Sequence, residues 1–205
     1  MVLMIDAQIS GISGDMILSS LVSLGADKSK IIDGAHMAES YLENSKIKKI
    51  NFESVKKNGK DATQLILEID ENVDQRKATD IKTCITRSAK DLGLSELASS
   101  FVTNTIDTLI SAESKVHGES ESSVHFHEAA SIDTVIDILG TAIALDDLNL
   151  FDEEIICSPV AIGGGTVTFS HGLTSNPAYA ILEIFKGTEI ITYGGTVSEE
   201  LTTPT

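Results

Sequence analysis

Apolar residues along the chain change period several times, and each change marks an element. Val2 to Ile5 is a short apolar run closed by Asp6, which reads as a strand. After Gly11-Ile12-Ser13-Gly14-Asp15, the positions Met16, Ile17, Leu18, Leu21, Val22 and Leu24 recur at helical spacing, and Gly25 ends that helix. A second amphipathic segment runs from about Lys28 to Leu42. From Ile47 to Ile69 the period falls to two, with Leu65, Leu67 and Ile69 in strict alternation, and Asn58-Gly59 supplies the positive φ angles of a two-residue turn. An antiparallel hairpin is therefore expected. Helical spacing returns over about Ala78 to Leu92, and over Glu96 to Lys115 behind the capping candidate Ser95. A polar loop at 118–123 leads to the extended Val124-His125-Phe126-His127-Glu128 and a helix from about Ile132 to Leu148. Ile155 to Val160 and Thr166 to Phe169 read as strands, Pro177 to Phe185 as a helix, and Glu189 to Thr192 as a last short strand. Strands and helices alternate, which predicts an α/β or α+β fold with a mixed sheet and flanking helices. The hairpin and two helices at 45–115 are an expected inserted subdomain.

Charge narrows the functional classes. The formal net charge is −16, yet residues 1–90 carry 13 basic and 13 acidic side chains and residues 91–205 carry 2 basic against 18 acidic. The second stretch holds the whole imbalance, a field that repels a phosphate backbone or an anionic membrane and attracts cations. With 41% hydrophobic and 22% charged residues the composition is that of a folded globular chain. Two cysteines, Cys84 and Cys157, fall in apolar segments and suit a reducing compartment. No apolar run approaches the ~18 residues of a membrane span, and the first residues lack a signal-peptide pattern. A cytoplasmic protein is expected.

The candidate chemistry lies in the acidic half. In an extended segment His125 and His127 point to one side while Phe126 turns to the core, so both imidazoles can approach one ion. Asp133 and Asp137 share a helix face and bring carboxylates towards the same spot. Glu128 can bind the ion or orient an imidazole, and His117 adds a further donor. The competing reading is a pair of partly exposed histidines beside a solvated helix face. His171 is a candidate ligand or general base, and His125 and His127 share that catalytic candidacy. Asp6 and Asp15 add carboxylates near the first loop. Ser10, Gly11, Ser13 and Gly14, at a strand-to-helix junction, can offer backbone N–H groups to an anion, or form a plain turn with a capped helix. Gly163, Gly164 and Gly165 allow a ligand close to the backbone, or a bulge.

Taken in order, Asp6, Ser10-Gly11-Ile12-Ser13-Gly14-Asp15-Met16, His117-Gly118, Val124-His125-Phe126-His127-Glu128 with Asp133 and Asp137, Ser158-Pro159, Gly163-Gly164-Gly165, His171-Gly172 and Glu200-Leu201-Thr202-Thr203-Pro204-Thr205 resemble the N-terminal part of the LarC family. The resemblance runs over nearly the whole chain. It implies a nickel chelatase or cyclometallase of the lyase class. Such an enzyme inserts Ni²⁺ into pyridinium-3,5-bisthiocarboxylic acid mononucleotide, forming nickel–sulfur and nickel–carbon bonds with CTP hydrolysis. It further implies that residues 1–205 form the metal and substrate domain. CTP, with Mg²⁺ or Mn²⁺, and oligomerisation then belong to a C-terminal domain expected to be absent here. The chain departs from the family in a proline-poor Thr174-Ser175-Asn176-Pro177-Ala178 and a short loop at 118–123. A non-catalytic metal-delivery module needing a partner domain, and a metal-dependent phosphohydrolase, are the alternative readings.

Overall fold

The computed structural model describes residues 2–169, 172–194 and 197–205. Among them the elements run β1 (Val2–Ile5), α1 (Gly14–Ser23), α2 (Lys28–Glu39), β2 (Ser45–Lys57), β3 (Lys60–Glu71), β4 (Arg76–Lys77), α3 (Ala78–Asp91), α4 (Glu96–His117) and β5 (His125–Phe126). A 3₁₀ turn at Glu128–Ala130 follows, then α5 (Ile132–Asp147), β6 (Glu154–Cys157), β7 (Val160–Ala161), β8 (Thr166–Phe169), β9 (Gly172–Ser175), α6 (Tyr179–Phe185) and β10 (Thr192–Tyr193). The fold is mixed α/β, as the alternating pattern predicts. Among the described residues the strands pair two by two: β1 with β6 and β7 with β10 in parallel, β2 with β3, β4 with β5 and β8 with β9 antiparallel.

Helix α5 is the hub. Twelve of its residues, from Ile132 to Leu145, are buried, and it packs against α1, α2, α3 and α4. Its largely apolar surface, broken by Asp133 and Asp137 on one face, is what a helix packed among other helices requires. Leu18, Ile31, Ile81, Ile85, Ile106 and Leu139 share one apolar cluster with it, so side chains from 45–115 and from both flanking stretches contribute to the same core. A second cluster of Ala7, Val160, Ile162 and Ile181 gathers the later strands around α6.

Local chemistry sets the boundaries. Asp27 caps α2 by accepting the Ser29 N–H at 2.9 Å, and Ser95 caps α4 by accepting the Ala98 N–H at 3.1 Å. The β2–β3 hairpin turns at Asn58 and Gly59 with φ of 50° and 80°, the geometry that the Asn-Gly pair dictates.

One buried ion pair ties the hairpin to the rest. The Arg76 guanidinium donates to Glu71 at 2.7 Å, to the Glu43 carbonyl at 2.7 Å, to the Ser45 hydroxyl at 2.8 Å and to the Ala130 carbonyl. Burial pushes the Glu71 carboxyl up, but the nearby Ser131 hydroxyl, the hydrogen bonds from Ser45 and Arg76 and the guanidinium charge outweigh it and leave it below its ordinary value. Glu71 also accepts the Ile132 N–H at the start of α5 at 3.3 Å, where a carboxylate is favoured by the helix dipole.

Candidate functional site

The first residues of α1 lie where three distant parts of the chain meet. The segment at 199–205 passes between the Gly11 loop and the Gly163 loop. Ile12 N–H donates to the Leu201 carbonyl at 3.1 Å and Thr203 N–H returns a bond to the Ile12 carbonyl at 3.1 Å. The buried Thr202 hydroxyl donates to the Ala161 carbonyl at 2.8 Å and accepts the Ile12 N–H at 3.2 Å. Gly11 has φ of +70°, and a Cβ there would lie 1.9 Å from the Leu201 carbonyl oxygen, so only glycine lets the two strands of backbone touch.

This arrangement occupies several groups that the sequence offers to an anion. The Gly14 N–H donates to the Thr205 carbonyl at 3.1 Å and the Gly164 N–H to the Glu199 carbonyl at 3.2 Å. The Gly164 and Gly165 carbonyls accept from the Asn176 side-chain and backbone N–H groups at 3.1 and 3.0 Å. Gly163 pairs with Glu200. The Ser13 hydroxyl donates to the Asp15 carboxylate rather than capping α1, and Ser10 is exposed in the preceding turn. The glycines thus serve a backbone crossing first.

Beside that crossing sits the most perturbed carboxyl described. Asp137 on α5 lines a small, mostly apolar cavity of about 200 Å³ with Ile17, Phe101, Ile138, Ile181 and Thr202. Its withdrawal from water, then the charges of Asp133 and Asp15, push its carboxyl up to about 8. Asp133 and Asp137 share a face of α5 as their spacing implies. Asp15 is brought to them by Gly14, where a Cβ would lie 2.2 Å from the Asp137 Cγ. Asp6, at the end of β1, is committed elsewhere: it accepts the Gln8 N–H at 3.2 Å and the Ser158 hydroxyl at 3.4 Å.

The histidines divide. Phe126 is buried, as alternation requires. Strand β5 stops there, and His127 takes φ −108° and ψ −73°, so the extended geometry that puts His125 and His127 on one side does not continue through His127. His127 lies against His117 at the end of α4, with ring centroids 5.7 Å apart, and the His117 Nε2 is 3.3 Å from Glu113. His125 instead lines a wide cleft that also holds Arg76, Lys77 and Arg87. Among the described residues no three His, Cys, Asp or Glu side chains form a group able to hold a metal ion. His171 lies outside the described residues, as does the side chain of Glu128. Sequence reasoning passed over Lys77 and Arg87, and met Thr202 only as part of the final motif. Only Arg87 carries a readable signal, since Asp80, Thr83, Cys84 and Arg87 recur at the spacing of one helix face.

Comparison with known proteins follows the same outline. A family model described as nickel insertion protein matches residues 3–205. The pyridinium-3,5-bisthiocarboxylic acid mononucleotide nickel insertion protein of Staphylococcus saprophyticus is 38% identical over 96% of this chain and 47% of its own length. Putative nickel insertion proteins of Methanothermobacter thermautotrophicus and Dictyoglomus thermophilum are 34% and 36% identical, over 100% and 96% of this chain and 48% and 47% of their own lengths. The chain spans about half the length of the curated relatives it matches. No solved structure matches it. No helix among the described residues is long and apolar enough to cross a membrane.

Proposed function

Because the chain belongs to the nickel insertion protein family, we propose that it receives Ni²⁺ and presents it to the pyridinium-3,5-bisthiocarboxylic acid mononucleotide for which its relatives are named. The observation that carries this reading is the family match across residues 3–205. Two features of the molecule support it. The charges of Asp133 and Asp15 lie close enough to Asp137 to help push its carboxyl up, in a chain of net charge −16, a field that draws in a divalent cation. The adjacent imidazoles of His117 and His127 are borderline donors suited to nickel. A protein that contributes few donors leaves positions on the ion open to the two sulfurs of the substrate, and the ion leaves with them as cargo. In this cyclometallase chemistry the proton lost from the ring carbon as the nickel–carbon bond forms passes to an imidazole. CTP with Mg²⁺ or Mn²⁺ acts in the length of the relatives beyond the aligned region, and the protein works in the cytoplasm.

Calorimetric titration with Ni²⁺ tests the ligand assignment. His117→Ala with His127→Ala is expected to weaken binding at least about 10-fold, the scale of losing a ligand. Unchanged affinity overturns it. A delivery role is the second reading, favoured by the half-length match. It is chosen if the chain binds Ni²⁺ yet forms product with CTP only when the remaining length of a relative is supplied.

A further inference from the structure

A second cavity lies away from the Asp137 site, on the half of the sequence that holds most of the basic residues. Its volume is about 640 Å³, within the range of roughly 300–1,000 Å³ usual for small-molecule sites. Two strands, a helix and a connecting segment build it. Strands β4 and β5 pair Lys77 with His125 and Arg76 with Phe126. Arg76 and Phe126 are buried, so Lys77 and His125, direct cross-strand partners, share the opposite face with their Cβ atoms about 5 Å apart. Helix α3 presents Asp80, Thr83, Cys84 and Arg87, one stripe at helical spacing. The segment after α2 supplies Tyr41 and Glu43.

The cations of this cleft differ in how far they are already used. Arg76 spends its guanidinium on Glu71 and the three oxygens described above, and so holds the wall in place. Lys77 and His125 have no side-chain partner among the described residues. Arg87 lies 4.2 Å over the Tyr41 ring and 3.8 Å from Asp91, with both charged side chains well exposed, a pairing too weak to withhold it from a ligand. Burial pushes the Cys84 thiol up to about 11, so the floor adds no negative charge. A cation placed against His125 would face its cross-strand partner Lys77. An anion there would meet an ammonium and an imidazole, with the Arg87 guanidinium further along the same wall.

We propose that this cleft is a binding site for a phosphate monoester of nucleotide size, with Lys77 and His125 on the phosphate and Arg87 further along the same wall, ten residues on in α3. Glu43 and Asp80 in the same lining favour a ligand whose ring carries positive charge, the pattern of a pyridinium mononucleotide. For that ring alone the inference rests on the function proposed above. It also explains how an anionic substrate is held by a strongly acidic protein: the phosphate docks on the basic side, away from the carboxylates of Asp15, Asp133 and Asp137.

Binding of nicotinic acid mononucleotide and of inorganic phosphate to the whole chain, read by calorimetry at two salt concentrations, tests the site. The mononucleotide is expected to bind more weakly at the higher salt and to be displaced by phosphate. Lys77→Gln and Arg87→Gln, both at exposed positions, are each expected to cost about 10-fold, the order of one charge-assisted hydrogen bond. Affinity for Ni²⁺ without nucleotide is expected to stay unchanged in both variants. Wild-type affinity for the mononucleotide in both variants, or no binding of either probe to the wild type, overturns the proposal. If the site behaves as expected and no nickel product forms with the remaining length of a relative and CTP, the site stands and the insertion function falls. If product forms equally well with wild type and with both variants, the function stands and the site falls.

Discussion

Asp137 shows how one residue's surroundings decide its chemistry. Its partner Asp133 was legible from the sequence, because residues four apart on a helix share a face. The arrival of Asp15 was not. It depends on Gly14 permitting α1 to approach α5 closely enough that a Cβ would strike the Asp137 carboxyl, a contact between positions that no local pattern connects. The resulting carboxyl, pushed up to about 8, is protonated in the fold at pH values where the unfolded chain ionises it. The folded state therefore holds the extra proton, and stability falls as pH rises from about 4 towards 8. Asp137→Asn removes that loss. The variant is expected to match wild type near pH 4 and to be more stable at pH 8, by up to about 5 kcal/mol at ~1.4 kcal/mol per pK unit, measured by urea unfolding at both pH values. Equal stability at pH 8 would show that Asp137 is ionised without penalty.

Among elements, the helices and the long hairpin were readable because their signals are local. Period placed α2, period with the capping candidate Ser95 placed α4, and Asn58-Gly59 placed the turn. Strand partnership was not readable, since β1 meets β6 across about 150 residues and nothing in Val2–Ile5 names Glu154–Cys157 as its neighbour. Strand β4 has only two residues, too few for a period to show. How far the alternation of the His-x-His motif extends was not readable for a related reason: it holds only while the chain stays extended, and the 3₁₀ turn after β5 ends it at His127. Arg76 fastens these pieces, linking β3, β4, the segment before β2 and the turn before α5. Removing one partner of a buried pair strands the other, so Arg76→Ala is expected to cost about 3–5 kcal/mol in denaturant unfolding. Arg76→Met with Glu71→Leu is expected to recover most of that loss, and a double variant as unstable as Arg76→Ala would place the cost in packing.

The whole molecule combines these titrations. Glu71, held below its ordinary value, adds stability above its unfolded value and loses it as the solution is acidified through its folded one. Asp137 acts in the opposite direction at higher pH. The net charge of −16 adds self-repulsion that fades towards the pI of about 4.5. Together they place maximum thermal stability without metal at about pH 5 to 6, below neutrality; a melting temperature that rises steadily from pH 5 to 8 would contradict this balance. The crossing of residues 199–205 with the Gly11 loop also orders events in time. Thr202 bonds Ile12 across 190 positions, and such distant partners pay loop-closure entropy before any contact repays it. On the ribosome the first strand and α1 emerge early and wait for this segment. The helical core around α5 can condense meanwhile, so the α1 end of the Asp137 cavity closes only after nearly all 205 residues have left the exit tunnel.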